Sequence, residues 1–590
     1  MTIEAAAAAT GEAPLTLAEA AIQGSSLLGE GMALPFPPGL VLIAAGIAIA
    51  FADRALRTFL LLIAPLISLL LVWVLPDGGS LTAPYLGFDL MLVRADPLSR
   101  LFATVFAIMA FAGGLYALNQ DNKFELAAAF VYAGGAIGVA FAGDLLTVFA
   151  FWEVMAIAST LVVFAGGPSA RGSGLRYAVI HFFGGVLLLA GIAGVVVETG
   201  SIAFTALEAN RWSTWLILAA FLINAGAPPL AAWLPDAYPA TSWSGMVFLS
   251  AFTTKTAVYT LIRAFPGEEV LIWIGLFMVF YGIVYAILEN DMRRILAYSI
   301  INQVGFMVCA VGIGTPLALN GAAGHAFVHI LYKALLLMSA GSVLYMTGKS
   351  KCTDLGGLWR TMPVACVCGI IGALAISSFP LTSGFVAKSM ISDAAGAEKL
   401  GFVYFALAAA SAGVFLHAGI KFPWFVFFQK DSGMRPSDPP WNMQAAMVLV
   451  SAFCLGLGIF YSPLYAMLPY RADYEPYTAA HVVFYLQLLL FSGLAFFLML
   501  DLLKRTMTIT LDVDWIWRHA GRGFSTWFAT LWRESISTIG GKLAARLDAA
   551  LSELDRTYGP ESPMARTRPS GYMALAMSVL LTAFLVLSFF

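Results

Sequence analysis

The sequence predicts an all-α polytopic membrane protein, and three observations carry that prediction. Of its 590 residues, 60% are hydrophobic and 11% charged, whereas a soluble domain carries about 25% charge. Apolar runs of about 20 residues, the length that crosses a bilayer, recur along most of the chain. Basic residues in the short connections gather on one side when successive runs cross alternately.

Taken in order, the first two apolar runs, near 34–52 and 56–76, flank Arg54 and Arg57 and form a helical hairpin. Residues 77–98 are mixed, and GFDLMLV alternates as a short strand pair does. Spans follow near 99–118, 124–142, 143–165, 175–197, 213–235, 244–264, 270–288, 295–313 and 318–345. The series ends near 364–392, 401–428, 443–468, 480–503 and 571–590, for about sixteen transmembrane helices in all. Arg54, Arg57, Lys123, Arg171, Arg176, Arg293, Arg294, Lys349, Lys351, Arg360, Lys430 and Arg435 share one side. The other side holds Arg94, Arg100, Arg211, Arg263, Lys399 and Arg471. The richer side is expected to be cytoplasmic, with the N-terminus outside. Residues 1–33 lack a basic stretch followed by an apolar core and read as a tail or surface helix rather than a cleaved signal. Residues 504–570 place Trp515, Trp517, Trp527 and Trp532 among Arg518, Arg522, Arg533, Lys542 and Arg546. That composition suits a lateral helix along the membrane interface, or else a cytoplasmic loop.

Composition also excludes whole classes of function. A net charge of −2 leaves no basic surplus for nucleic acid. Cys309, Cys352, Cys366, Cys368 and Cys454 form no CxxC pair and read as small apolar side chains, so no metal site is expected. Nor is there a nucleotide or flavin fingerprint, and no cofactor is expected.

The informative residues are charges inside apolar spans. A lysine at bilayer depth costs roughly 2.5–3.5 kcal/mol on insertion scales and usually faces a bundle interior or a wet path. Lys255 is such a lysine, eight residues from Arg263 at its helix end. It follows a span broken at Pro228 and Pro229, where freed backbone groups must face protein or water. Glu153 in FWEVMAIAS has no basic residue in its own span and reads as a proton site or half of an ion pair. His325, His329 and Lys333 stand at steps of four in HAFVHILYK, so they line one helix face over about 12 Å. Two imidazoles beside a desolvated amine can relay a proton, because each ring accepts at one nitrogen and donates from the other. A second broken span, at Pro380, leads to Lys388, which repeats the earlier device and suggests inverted repeats with a midplane site. His181 is open to a relay or a packing role. His417 and Lys421 are accessory candidates, with Lys421 near enough to the cytoplasmic end to snorkel.

Six motifs then carry a resemblance: FWEVMAIAS, WLPDAYPA, LSAFTTKTAVYTLIR, DMRRILAYSIINQVGF, HAFVHILYKALLLMSAG and FPLTSGFVAKSM. They resemble the antiporter-like subunits shared by respiratory complex I, membrane-bound hydrogenases and Mrp cation/proton antiporters, and most of all the D-type subunits of Mrp antiporters. The likeness runs from about residue 80 to 430; beyond that only the layout is similar. It implies two inverted five-helix repeats with broken helices 7 and 12. The expected division is 1–33 (tail), 34–118 (helices 1–3), 119–288 (first repeat and helix 9) and 289–430 (second repeat). After these come 431–503 (helices 14 and 15), 504–570 (amphipathic segment) and 571–590 (last helix). The resemblance makes Glu153 the helix-5 glutamate, Lys255 the helix-8 lysine, His325, His329 and Lys333 the helix-11 relay, and Lys388 the helix-12 exit lysine. In the family these form a hydrated axis along which protons move between two half-channels. One position departs from the pattern. Where the family has a helix-7 lysine, nine residues before the tryptophan of WLPD, stands Asn224, and no lysine lies between Arg211 and Lys255.

The resulting expectation is a proton-translocating subunit of a multi-subunit Mrp-type antiporter in a bacterial inner membrane, with lipid, protons and a monovalent cation such as sodium as partners. Two alternatives remain open at this stage. One is the proton-pumping membrane subunit of a redox complex whose electron carriers reside in other chains. The other is a scaffold whose transport was lost with the helix-7 lysine.

Overall fold

The computed structural model describes residues 36–504, 506, 512–558 and 569–588. The expected tail at 1–33 and the stretch at 559–568, near the end of the expected amphipathic segment, lie outside the described residues. The chain forms two compact units, Met1–Asp512 and Val513–Phe590.

The first unit is a helical bundle with one hairpin. Helices α1 (Pro38–Phe51) and α2 (Arg54–Val74) come first, then strands β1 (Ser80–Tyr85) and β2 (Phe88–Arg94). Next are α3 (Pro97–Tyr116), α4 (Lys123–Phe141), α5 (Leu145–Phe164) and α6 (Arg171–Thr199). Helix α7 (Trp212–Ala225) stops short and resumes as α8 (Trp233–Ala237), followed by α9 (Gly245–Ala251) and α10 (Thr253–Ala264). Helices α11 (Val270–Leu288), α12 (Met292–Ile313) and α13 (Pro316–Thr347) precede a second divided pair, α14 (Pro363–Ile376) and α15 (Ser383–Ala397). Helix α16 (Gly401–Val414) runs on through π-helical turns at Phe415–Lys421 and Trp424–Phe428, and α17 (Trp441–Ile459) and α18 (Ala479–Leu498) complete the bundle. The second unit holds α19 (Asp514–Tyr558) and α20 (Ser570–Ser588).

Thirteen helical stretches among the described residues are long and apolar enough to cross a membrane. Three further apolar helices are shorter: Pro38–Phe51, Trp212–Ala225 and Pro363–Ile376. Breaks explain two of them. Gly226, in the left-handed region at φ 79°, ends α7, and the turn holding Pro380 ends α14. The segment expected at 504–570 contains a continuous helix of 45 residues, about 67 Å long.

Local chemistry sets the helix starts. Asp53, Asn122, Asp144, Asp291 and Thr315 each cap a helix by accepting from a backbone amide of its first turn. Asp96 forms a reciprocal capping box with Ser99. The same Asp96 accepts from Arg263 at 2.9 Å, which ties the end of β2 and the start of α3 to the end of α10. Burial pushes the Asp96 carboxyl up, but Arg263, the Ser99 amide and Arg94 outweigh it and hold that carboxyl below its ordinary value. Alternation in GFDLMLV does become strand β2, whose Met91 amide donates to Asp144 at the start of α5.

Burial is graded from the centre outward. The most apolar stretches of α9–α10 and α12 are wholly buried and that of α13 nearly so, whereas α6 and α18 leave apolar side chains exposed. Backbones approach closely between α11 and α12, where a Cβ on Gly275 would lie 2.4 Å from the Cys309 nitrogen. At the second break a Cβ on Gly384 would lie 1.9 Å from the Ala375 carbonyl oxygen. Because that neighbour is backbone, Gly384→Ala is expected to destabilise the protein by roughly 1–3 kcal/mol. Thermal unfolding in detergent reads this, and an unchanged midpoint would show that α14 and α15 separate freely.

Candidate functional site

Proline placement sets the two main-chain breaks. Pro228 and Pro229 lie between α7 and α8, and Pro380 between α14 and α15, in segments without regular helix. The Trp233 indole donates to the Ile223 carbonyl at 3.1 Å and so occupies one acceptor near the first break. A third interruption has no proline. At Phe252 the backbone turns to φ −107° and ψ −66°, separating α9 from α10. There the Lys255 ammonium donates to the Ser250 carbonyl at 2.6 Å, so the interruption and the lysine serve each other.

The stripe on α13 has the expected spacing and gains partners from α12. His325 Nε2 lies 3.1 Å from Gln303 Oε1 and 2.8 Å from the Tyr332 hydroxyl. The Lys333 ammonium donates to the Ser299 hydroxyl. Between them, His329 packs its ring 6.0 Å from that of His325 and 5.2 Å from that of Tyr332. Neither ring nitrogen of His329 has a hydrogen-bond partner among the described residues. Lys388 on α15 places its ammonium 4.2 Å from the centroid of the Phe306 ring, a cation–π contact, and makes no hydrogen bond among the described residues.

These groups occupy one neighbourhood. His329 is within electrostatic reach of Lys255, Lys333, His325 and Lys388. All five residues are fully buried. His417, also fully buried, faces Lys333, Lys421 and Lys388. It lies in the π-helical turn of α16, a distortion often found at functional sites. The sequence gives His417 little weight because a lone histidine shows no pattern.

Glu153, His181 and Asn224 form a separate group. Glu153 is half-buried on α5, its Oε1 has no hydrogen-bond partner among the described residues, and no charge acts on it there. Asn224 is buried in the last turn of α7 beside His181, whose ring packs on Tyr177 and Trp233. A glycine pair on α6 makes room for both sides. A Cβ on Gly185 would fall 2.0 Å from Glu153 Oε1, and one on Gly184 would fall 3.7 Å from Asn224 Oδ1.

Lys421 has a different role from the rest. Its ammonium donates to the carbonyls of Ala286 at 3.2 Å, Ile287, and Glu289 at 2.6 Å, closing the C-terminal end of α11. Sequence reading missed Ser299, Gln303 and Phe306 as site residues. Their spacing of four and three in SIINQVGF places them on one helix face, and that periodicity was the available signal. Replacing Lys421 by Met is expected to destabilise the protein by roughly 1–3 kcal/mol, since three carbonyls lose their donor. Lys388→Met should instead be neutral or stabilising by roughly 1–4 kcal/mol. Thermal unfolding of the purified protein separates the two, and equal losses would remove the distinction between structural and site lysines.

Residues 142–414 match the family model described as NADH:quinone oxidoreductase/Mrp antiporter, TM. The D component of the Na(+)/H(+) antiporter of Alkalihalophilus pseudofirmus is 32% identical over 340 residues, covering 52% of this chain and 67% of that protein. The NADH-quinone oxidoreductase subunit N of Desulforudis audaxviator is 30% identical over 379 residues, covering 60% and 74% respectively. A chain of the Mrp complex from Dietzia sp. DQ12-45-1b shares the fold with a TM-score of 0.67 at 21% identity, covering 76% of this chain and 100% of that one. The divided helices and buried basic array thus sit in a sequence that belongs to the NADH:quinone oxidoreductase/Mrp antiporter family of transmembrane subunits.

Proposed function

We propose that this chain is the proton-translocating membrane subunit of a multi-subunit Mrp-type cation/proton antiporter, in a bacterial inner membrane with its N-terminus outside. The observation that carries this reading is the buried array of Lys255, His325, His329, Lys333 and Lys388, contributed by α10, α13 and α15. A soluble core rarely holds three lysines so close together, and membrane interiors keep such groups for ion pathways. The Na(+)/H(+) antiporter component among its relatives supports the exchange of a monovalent cation for protons. A structural neighbour that is itself part of a complex supports hetero-oligomeric assembly. The chain acts as a transport subunit and needs no cofactor of its own.

In this mechanism Lys255 passes a proton to the imidazoles of α13, and Lys388 passes it onward. Open hydrogen-bonding capacity on His329, Thr254 and Thr256 favours ordered water between the side chains. Each lysine is solvated by a carbonyl, a hydroxyl or a ring face rather than by a carboxylate. Losing its proton therefore strands no counter-charge. The second reading, a pumping subunit of a redox complex, is favoured by the relative named as an NADH-quinone oxidoreductase subunit. Copurified iron–sulfur or nickel subunits would select it over the antiporter.

Lys333→Ala and Lys388→Ala, each in the intact complex, are expected to abolish cation-driven proton movement in everted vesicles. Full activity in both variants overturns the proposal. Asn224→Lys would restore a cation beside His181, across the glycine pair from Glu153. It should change the transport rate or pH optimum, and identical curves would show that this group takes no part.

A further inference from the structure

Beyond Lys388 the structure holds a second polar cluster that none of the motifs contains. His481 on α18 faces Asp393 on α15, with Nε2 3.0 Å from Oδ2 and 3.1 Å from Oδ1. The Tyr474 hydroxyl donates to Asp393 Oδ2 at 2.7 Å and lies 3.4 Å from His481 Nδ1, which also approaches the Pro476 carbonyl at 3.3 Å. The side chains of His481 and Asp393 are 17% and 30% exposed, so this cluster reaches the surface of the chain, whereas Lys388 is wholly buried. It lies at the end of the bundle where α13 begins, since Gly321 packs against Ile391 and Asn320 donates to the Tyr470 carbonyl at 2.9 Å, opposite the α13 end that leads to Lys349 and Lys351.

Hydroxyl groups fill the interval. Ser389 and Ser392, beside Lys388 and one turn beyond it, are buried; Ser389 donates to the Phe385 carbonyl at 2.7 Å, and the Ser392 hydroxyl has no hydrogen-bond partner among the described residues. The Phe385 ring, one turn before Ser389, stacks on Tyr477 at 5.2 Å and meets the His481 and Tyr485 rings edge-on at 6.3 and 5.5 Å. The polar steps therefore run past an aromatic wall. The titratable groups facing the Asp393–His481 pair are Tyr474 from the preceding loop, Tyr485 from α18 and Tyr404 from α16.

Resting on the transport reading above, we propose that Asp393 and His481, held by Tyr474, are the groups through which the path from Lys388 exchanges protons with the aqueous phase on the side opposite the basic loops. An imidazole bonded to a carboxylate can accept a proton as imidazolium and release it to water, with no change at any other group. The arrangement also pins α15 to α18, and that clamp is the structural alternative.

The test uses the intact complex in vesicles, with assembly verified by copurification and transport followed against pH on the exchanging side. His481→Gln keeps a donor for Asp393, so the clamp survives while the titrating ring is lost. It should lower the maximal rate about tenfold or more and abolish the pH dependence between about pH 5 and 8. Asp393→Asn should shift that profile to lower pH, and Asp393→Glu should restore most of the rate. Normal assembly with an unchanged pH profile in both His481→Gln and Asp393→Asn overturns the inference. So does a loss of assembled complex with the surviving fraction behaving normally. Lys388→Ala, run alongside, separates the two levels. If it abolishes transport while the cluster variants do nothing, only the exit assignment fails; if it is also silent, the transport reading itself fails.

Discussion

A cation buried in lipid-embedded protein must be met by lone pairs, and this fold supplies them mostly from helix carbonyls and hydroxyls. Lys255 takes the Ser250 carbonyl, Lys333 the Ser299 hydroxyl, and Lys421 three carbonyls at the end of α11. Arg293 binds the carbonyls of Pro239, Thr241 and Ser242. Such acceptors become free only where a helix ends or breaks. Helix ends and breaks thus supply the carbonyls that hold Lys255, Lys421 and Arg293, while Lys333 and Lys388 rely on a hydroxyl and a ring face. Neutral dipoles solvate an ammonium without fixing it as an ion pair does, which suits the proton transfer proposed for these lysines.

Much of this was legible in the sequence because it follows from periodicity or from proline. The i, i+4 stripe of α13 and the breaks at Pro228, Pro229 and Pro380 are local patterns, and alternation marked β2. Other features depend on residues far apart in the chain. The interruption at Phe252 has no proline or glycine of its own and shows only in the backbone. Lys421 looked able to snorkel, but the carbonyls it caps are more than 130 positions away. The pairing of Asp393 with His481 spans 88 positions and carries no periodic signal. The exact length of a span is also hidden in the sequence, because Gly226 ends α7 inside an apolar run that reads as continuous.

At Glu153 the packing sets a carboxylate opposite an amide. Gly184 and Gly185 keep a side-chain-free strip on α6, with the carboxylate on one side and the amide on the other. That spacing would hold a lysine's charge near the glutamate, yet Asn224 offers only a dipole. Glu153 remains half-buried with no charged partner among the described residues.

The position of Asp393 relative to Lys388 has an electrical consequence. Five residues of α15 separate them, or about 7.5 Å along the axis, roughly a quarter of a hydrocarbon core about 30 Å thick. A full crossing is worth about 2.3 kcal/mol per charge at 100 mV, so this step would feel up to about 0.6 kcal/mol. Transfers among His325, His329 and Lys333 feel only the part of their displacement that lies along the membrane normal. The membrane potential would then act unevenly along the path, with the Lys388 to Asp393 step as one place where voltage sets the rate.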